Sequence, residues 1–98
     1  MYFICNLQTL VERDQRDAEI QAAHLQWLKD THANGGLALS GRRPGYADGH
    51  YIIRADSREE AEAIAWSDPN NKARNTSFEL VEWAIGRGSI VIEDARQG

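Results

Sequence analysis

His24 is the residue of this chain best placed to do chemistry. It lies in Ala23-His24-Leu25-Gln26-Trp27-Leu28, where a helical period puts Ile20, His24, Trp27, Leu28 and Thr31 on one face. An imidazole on such an apolar face is either a core histidine satisfied by one partner or a base, because it titrates near neutral pH. A second feature favours the base. Ser67-Asp68-Pro69-Asn70 closes another predicted helix and offers a carboxylate that the fold could return to His24. A carboxylate there would fix the imidazole tautomer and stabilise the imidazolium formed on proton abstraction. The simpler structural reading is that Asp68 caps the helix or starts a turn, where Asp before Pro is common.

Other candidates surround this pair. Arg42 and Arg43 follow a predicted strand and could bind an anionic substrate, since guanidinium pairs carboxylate bidentately; otherwise they are solvated loop charges. Ser40 could donate a hydrogen bond in the pocket, although no GxSxG motif surrounds it. Asp48-Gly49 reads as a turn into a strand, or as a second carboxylate near the pocket. Trp66, at a helix end, could line the pocket or a dimer seam. Trp27 and Trp83 read as core, and His32 and His50 carry no specific signal. With a single cysteine no disulfide can form within the chain, and Cys5 reads as a small core residue. His24, His32, His50 and Cys5 show neither CxxC nor HExxH spacing, so neither a metal site nor a cofactor is expected.

The composition bounds the answer. Ninety-eight residues make a single domain, 1–98, with a modest core that association would help to cover. Eleven Lys and Arg against fifteen Asp and Glu give a net charge of -4. The basic residues are scattered, the densest groups being Arg42-Arg43 and Arg87 with Arg96, so nucleic acid is not an expected partner. A lone thiol suits a reducing compartment. No signal-peptide pattern precedes the first strand-like run and no apolar stretch approaches about 18 residues. The expectation is a soluble cytoplasmic protein with no membrane partner.

The elements that must position these residues follow from periodicity. Tyr2 to Leu7 alternates between two largely apolar faces and reads as a central strand. Gln8 to Asp14 is a polar loop. A helix runs from about Gln15 to Ala33 and ends at Asn34-Gly35-Gly36, where glycine supplies the left-handed cap. Leu37 to Ser40 is a short strand, Gly41 to Asp48 a loop and His50 to Ala55 a third strand. Ser57-Arg58-Glu59-Glu60 is a capping box opening a helix through about Ser67, which Pro69 terminates. Asn70 to Asn75 is a polar turn, Thr76 to Ala84 a fourth strand, and Ser89 to Glu93, after Gly86-Arg87-Gly88, a short fifth.

The order β-α-β-β-α-β, with a C-terminal extra strand, is the ferredoxin-like arrangement of the α+β class. Right-handed crossovers put both helices on one face of the sheet. The other face is bare yet partly apolar, which marks an association surface. Two such sheets face to face would make a homodimeric α/β barrel, with the tail adding to an edge or pairing across the dimer.

His24-Leu25-Gln26-Trp27-Leu28, Gly36-Leu37-Ala38-Leu39-Ser40-Gly41, Asp48-Gly49, Glu60-Ala61, Asp68-Pro69 and Glu79-Leu80-Val81-Glu82-Trp83, in that order, resemble the YCII-related family over roughly Met1 to Trp83. The resemblance implies a dimeric ferredoxin-like α/β barrel and an active site centred on a histidine and an aspartate, which fall on His24 and Asp68. One relative is a dehydrochlorinase acting on a chlorinated hydroxyquinol. The chain departs from the family pattern at Gly41-Arg42-Arg43-Pro44, where Gly-Pro is common, and at Asn70, where an aromatic residue usually follows Asp-Pro. A glycine common a few residues later is absent. These departures predict a more polar and more cationic pocket.

Two functional readings stand at this point. One is a small cofactor-free enzyme performing proton abstraction, elimination or isomerisation on a small anionic or phenolic molecule. The other is a non-catalytic dimeric module that binds a metabolite or a partner protein. A solvent-reaching environment for His24 favours the first, and a filled core the second.

Overall fold

The computed structural model describes residues 1–92. Its elements are β1 (Tyr2–Thr9), α1 (Ala18–Ala33), β2 (Leu37–Arg42), β3 (Gly49–Arg54), α2 (Arg58–Ser67), α3 (Pro69–Lys72) and β4 (Thr76–Glu82), with a 3₁₀ turn at Arg13–Gln15 before α1. The four strands form one antiparallel sheet in the order β2-β3-β1-β4. This is the ferredoxin-like α+β topology.

Burial alternates along the two central strands, β1 and β3, as a sheet covered on one side requires. Phe3, Cys5 and Leu7 of β1, Tyr51 and Ile53 of β3 and Leu80 of β4 are buried, and Ala61 and Ala65 of α2 pack with them. Trp27 and Leu28 of α1 and Ile64 of α2 close this core from the helix side. On the other face, Leu39 pairs with Ile52, Ile52 with Ile4 and Ile4 with Val81. These four side chains make one apolar row across all four strands. Asn6, His50 and Glu79 share one neighbouring register row, and Tyr2 pairs with Arg54 on the other side.

Local chemistry sets the helix ends. Helix α1 starts at Ala18 rather than near Gln15, because the Asp17 carboxylate accepts from the Glu19 and Ile20 amides. It ends where Gly35 takes φ +85°, the left-handed geometry that glycine adopts without strain. At α2 the Ser57 hydroxyl accepts from the Glu60 amide, while the Glu60 carboxylate reaches back one residue further, to the Asp56 amide. Asp68 has an extended backbone, φ -64° and ψ 120°, the geometry expected before proline. It thereby ends α2 and caps α3, with Pro69 in the first turn.

Three expectations need correction. Asn70 to Asn75 is not simply a polar turn. It contains α3, and Asn70, Asn71 and Asn75 are buried because they satisfy one another and their surroundings: Asn75 Nδ2 donates to Asn70 Oδ1 at 3.0 Å, and Thr76 Oγ1 donates to Asn71 Oδ1 at 2.5 Å. Strand β2 runs on to Arg42, and β3 begins at Gly49 opposite it. A Cβ on Gly49 would lie 2.7 Å from Arg42 Cα, so the hairpin closes only over a glycine. The extra C-terminal strand is not formed over Ser89 to Ile92, where Ile90, Val91 and Ile92 are exposed. The chain leaves β4 through Gly86-Arg87-Gly88 and over these residues pairs with neither edge of its own sheet. Glu93, the last residue of that expected strand, and Arg96 lie outside the described residues.

Candidate active site

Helix α1, strand β3 and the first turn of α3 converge on Asp68. Its side chain is fully buried. Oδ1 lies 2.7 Å from His24 Nδ1 on α1 and accepts from the Asn70 amide at 2.9 Å. Oδ2 accepts from the Tyr51 hydroxyl of β3 at 3.0 Å. An ionised carboxylate is acceptor-only, so three converging donors match that form. The proton between Asp68 and His24 is therefore assigned to Nδ1, and in the neutral ring Nε2 carries the free lone pair. The His24 side chain retains 14 % exposure, so its ring is neither fully enclosed nor on the surface.

The surroundings hold this geometry. Trp27, one turn along α1, has its ring 6.3 Å from that of His24 and nearly parallel to it. Its Nε1 donates to Ser67 Oγ at 2.8 Å, which ties α1 to the end of α2. Tyr51 packs against Trp27 with ring centroids 5.2 Å apart. Asn71 Nδ2 donates both to the Tyr51 hydroxyl at 3.1 Å and to the Ala65 carbonyl at 2.8 Å. Cys5 of β1 lies beside the Tyr51 hydroxyl, and burial pushes its thiol up to about 12, so it stays protonated and inert as a nucleophile. Burial likewise pushes the Tyr51 phenol far above its usual range, with Cys5 and Asp68 adding to the effect. At neutral pH it is a fixed donor.

Of the seven candidate residues, only His24 and Asp68 meet. Asp48 is taken up elsewhere: Arg16 donates from both terminal nitrogens to its two carboxylate oxygens, at 3.1 and 2.6 Å, and Thr9 adds a third bond at 2.5 Å. Ser40 is bonded to His32 Nε2 at 2.7 Å. Ser40 and Arg42 line a shallow concavity of about 280 Å³ at the β2–β3 edge, with Leu39, His50 and Ile52. His24 is not among its lining residues. Arg43 lies over the Tyr46 ring at 4.2 Å. Trp66 is half exposed and meets Phe78 edge-on.

Tyr51, Asn71 and Arg16 carry no signal in the sequence that would single them out. Tyr51 alternates correctly as a core strand residue, and nothing in its neighbours announces a carboxylate partner. Among the described residues, no group of three or more His, Cys, Asp or Glu side chains could hold a metal ion, and no helix is long and apolar enough to cross a membrane.

The fold and this constellation place the chain among single-sheet α+β proteins with a buried carboxylate–imidazole pair under the helices. The YCII-related domain model matches residues 1–84, and the chain belongs to that family. It is 28% identical over 79 residues to uncharacterized protein YjpA of Bacillus subtilis (strain 168), a match covering 81% of this chain and 93% of that protein. Its fold is also that of 5-chloro-2-hydroxyhydroquinone dehydrochlorinase (TftG) from Burkholderia phenoliruptrix AC1100, solved in complex with 2,5-dihydroxybenzoquinone. That likeness has a TM-score of 0.59 at 22% identity and covers 88% of this chain and 96% of TftG.

Proposed function

We propose that the protein is a small-molecule enzyme in which His24 is the general base and Asp68 orients it. The observation that carries this reading is the 2.7 Å contact between a fully buried carboxylate and an imidazole that still reaches solvent. His24 Nε2 takes a proton from the substrate. The electron pair released either shifts along the molecule, and the His24 imidazolium returns the proton at another atom to give an isomer, or expels a leaving group as its anion, giving an elimination product. Asp68 stabilises the imidazolium through Nδ1 while it holds the proton. The named activity and ligand of TftG support small phenols and hydroquinones as the class to test. Neither step calls for a cofactor. Arg42 lines a concavity that does not include His24, so it is given no role in this step.

A screen of small carboxylates, phenols and halogenated hydroquinones for thermal stabilisation, followed by turnover assays on the hits, tests this. Turnover is expected to fall about 10²- to 10⁴-fold in His24→Ala, the usual worth of general-base catalysis. Hits that bind wild type and His24→Ala equally and are never converted would instead identify a metabolite-binding module.

We further propose that the protein is a homodimer formed through the open sheet face. The row Leu39, Ile52, Ile4 and Val81 supports this, because it gives the sheet a continuous apolar seam. Light scattering at micromolar concentration should give about twice 11.0 kDa. Ile52→Lys places a charge at the centre of that row and should give the monomer mass; a monomer in the wild type would remove the dimer.

A further inference from the structure

Asp68 offers His24 one oxygen, and the other oxygen is held by a residue the general-base scheme does not use. We propose that Tyr51, seated by Asn71, is a positioning residue that locks the Asp68 carboxylate and keeps His24 in its unprotonated, base-competent form. The inference rests on the reading of His24 as the base, but the device itself is visible in the hydrogen bonds.

Asp68 Oδ2 accepts from the Tyr51 hydroxyl at 3.0 Å, and that hydroxyl accepts from Asn71 Nδ2 at 3.1 Å. The Asn71 amide is anchored in turn on the Ala65 carbonyl and by the Thr76 hydroxyl, so the chain of donors has one direction. Asn71 is fully buried and Tyr51 nearly so, which leaves no water to replace either group. The ionisable groups facing the pair are His24 from α1, Tyr51 from β3, Cys5 from β1 and Asp68 itself. Among the described residues, no Arg or Lys is bonded to Asp68.

The effect on the base has a definite sign. With the imidazole neutral, Asp68 carries an uncompensated buried charge. With the ring protonated, the imidazolium meets that charge. A donor on Oδ2 stabilises the first state more than the second, because the carboxylate needs it more. The two groups must be treated as one titrating pair.

The test follows the ring protons of His24 by NMR across pH, assigned by their loss in His24→Ala. In Tyr51→Phe the midpoint is expected to rise by about 0.5 to 1 pH unit, less than the full worth of a hydrogen bond to a charged group because the bond is lost in both protonation states and only the difference shifts the midpoint. Fluorotyrosine introduced at Tyr51, with Tyr2 and Tyr46 changed to Phe, is a stronger donor of nearly the same shape and should lower the midpoint relative to that same background. This second arm decides the matter if Tyr51→Phe does not fold. Midpoints unchanged in the folded variants would overturn the proposal and leave Tyr51 as packing. The readout needs no substrate. Shifted midpoints in a protein that converts no substrate would retain the Tyr51 device and remove only the catalytic reading of His24.

Discussion

Asp68→Ala is expected to lower the stability of the fold by about 3 to 5 kcal/mol, because it leaves three buried donors without their acceptor at about 1 to 3 kcal/mol each. The carboxylate has no exposed surface and satisfies His24 Nδ1, the Tyr51 hydroxyl and the Asn70 amide at once. Truncation strands three donors and opens space beneath α3. It also removes the cap that starts α3, so the turn carrying Asn70 and Asn71 loses its anchor. A domain of this size is stable by about 5 to 15 kcal/mol, and each lost kcal/mol lowers the melting temperature by about 4 to 8 °C. A fall of more than about 10 °C is therefore expected. Asp68→Asn keeps the volume and part of the accepting capacity, and should lose about half as much. Urea unfolding of both variants, read by circular dichroism, checks the order. A loss below about 1 kcal/mol in Asp68→Ala would mean that the network around Asp68 does not form in solution.

The sequence shows the site's two ends and hides its middle. His24 is legible because an imidazole interrupts an otherwise apolar helical stripe, and Asp68 because the proline after it forces an extended residue at a helix end. Their residue types and the family pattern name them, but the 2.7 Å contact depends on α1 lying beside the α2–α3 elbow. Tyr51 is hidden by its own regularity, since a tyrosine on the buried side of a strand satisfies the hydrophobic pattern whether or not its hydroxyl has a task. Asn70 and Asn71 mislead in the opposite direction. Amides in a row read as solvated, and only the fold reveals that they bond to one another and to buried carbonyls. The four strands follow from their alternation, whereas Ser89 to Ile92 has the same β-branched composition and pairs with no strand of its own sheet. Propensity names a strand's residues, and its partner decides whether the strand exists.

Arg16 shows the same limit and carries the other large effect. Periodicity places it in the first helix without distinction, yet its guanidinium is 1 % exposed and its partner Asp48 7 %. Arg16 Nε also donates to the Val11 carbonyl at 2.8 Å, and Arg13 reaches the Ala47 carbonyl, so the pair ties the segment after β1 to the turn before β3. Arg16→Met should cost about 3 to 5 kcal/mol at pH 7, because it leaves the Asp48 carboxylate buried without its counter-charge. Adding Asp48→Leu should recover most of that loss, since a matched apolar pair replaces a buried ion pair at little net cost. The pH dependence separates the two causes. Burial works against ionisation of Asp48, but the hydrogen bonds from Arg16 and Thr9 and the charges of Arg16 and Arg13 outweigh it and hold the carboxyl below its usual range. The stability this contributes is fully present above the unfolded value of about 3.9 and is lost as pH falls through the lower folded value. Wild type should therefore lose more stability than Asp48→Asn on going from pH 5 to pH 2.5. In Arg16→Met the balance inverts: burial dominates, the folded carboxyl titrates above the unfolded one, and acidification from pH 7 toward pH 4 should return part of the missing stability. Denaturant titrations across that range should show wild type and Arg16→Met converging as the pH falls. Parallel curves would mean that Asp48 in Arg16→Met finds water or another cation in place of the guanidinium.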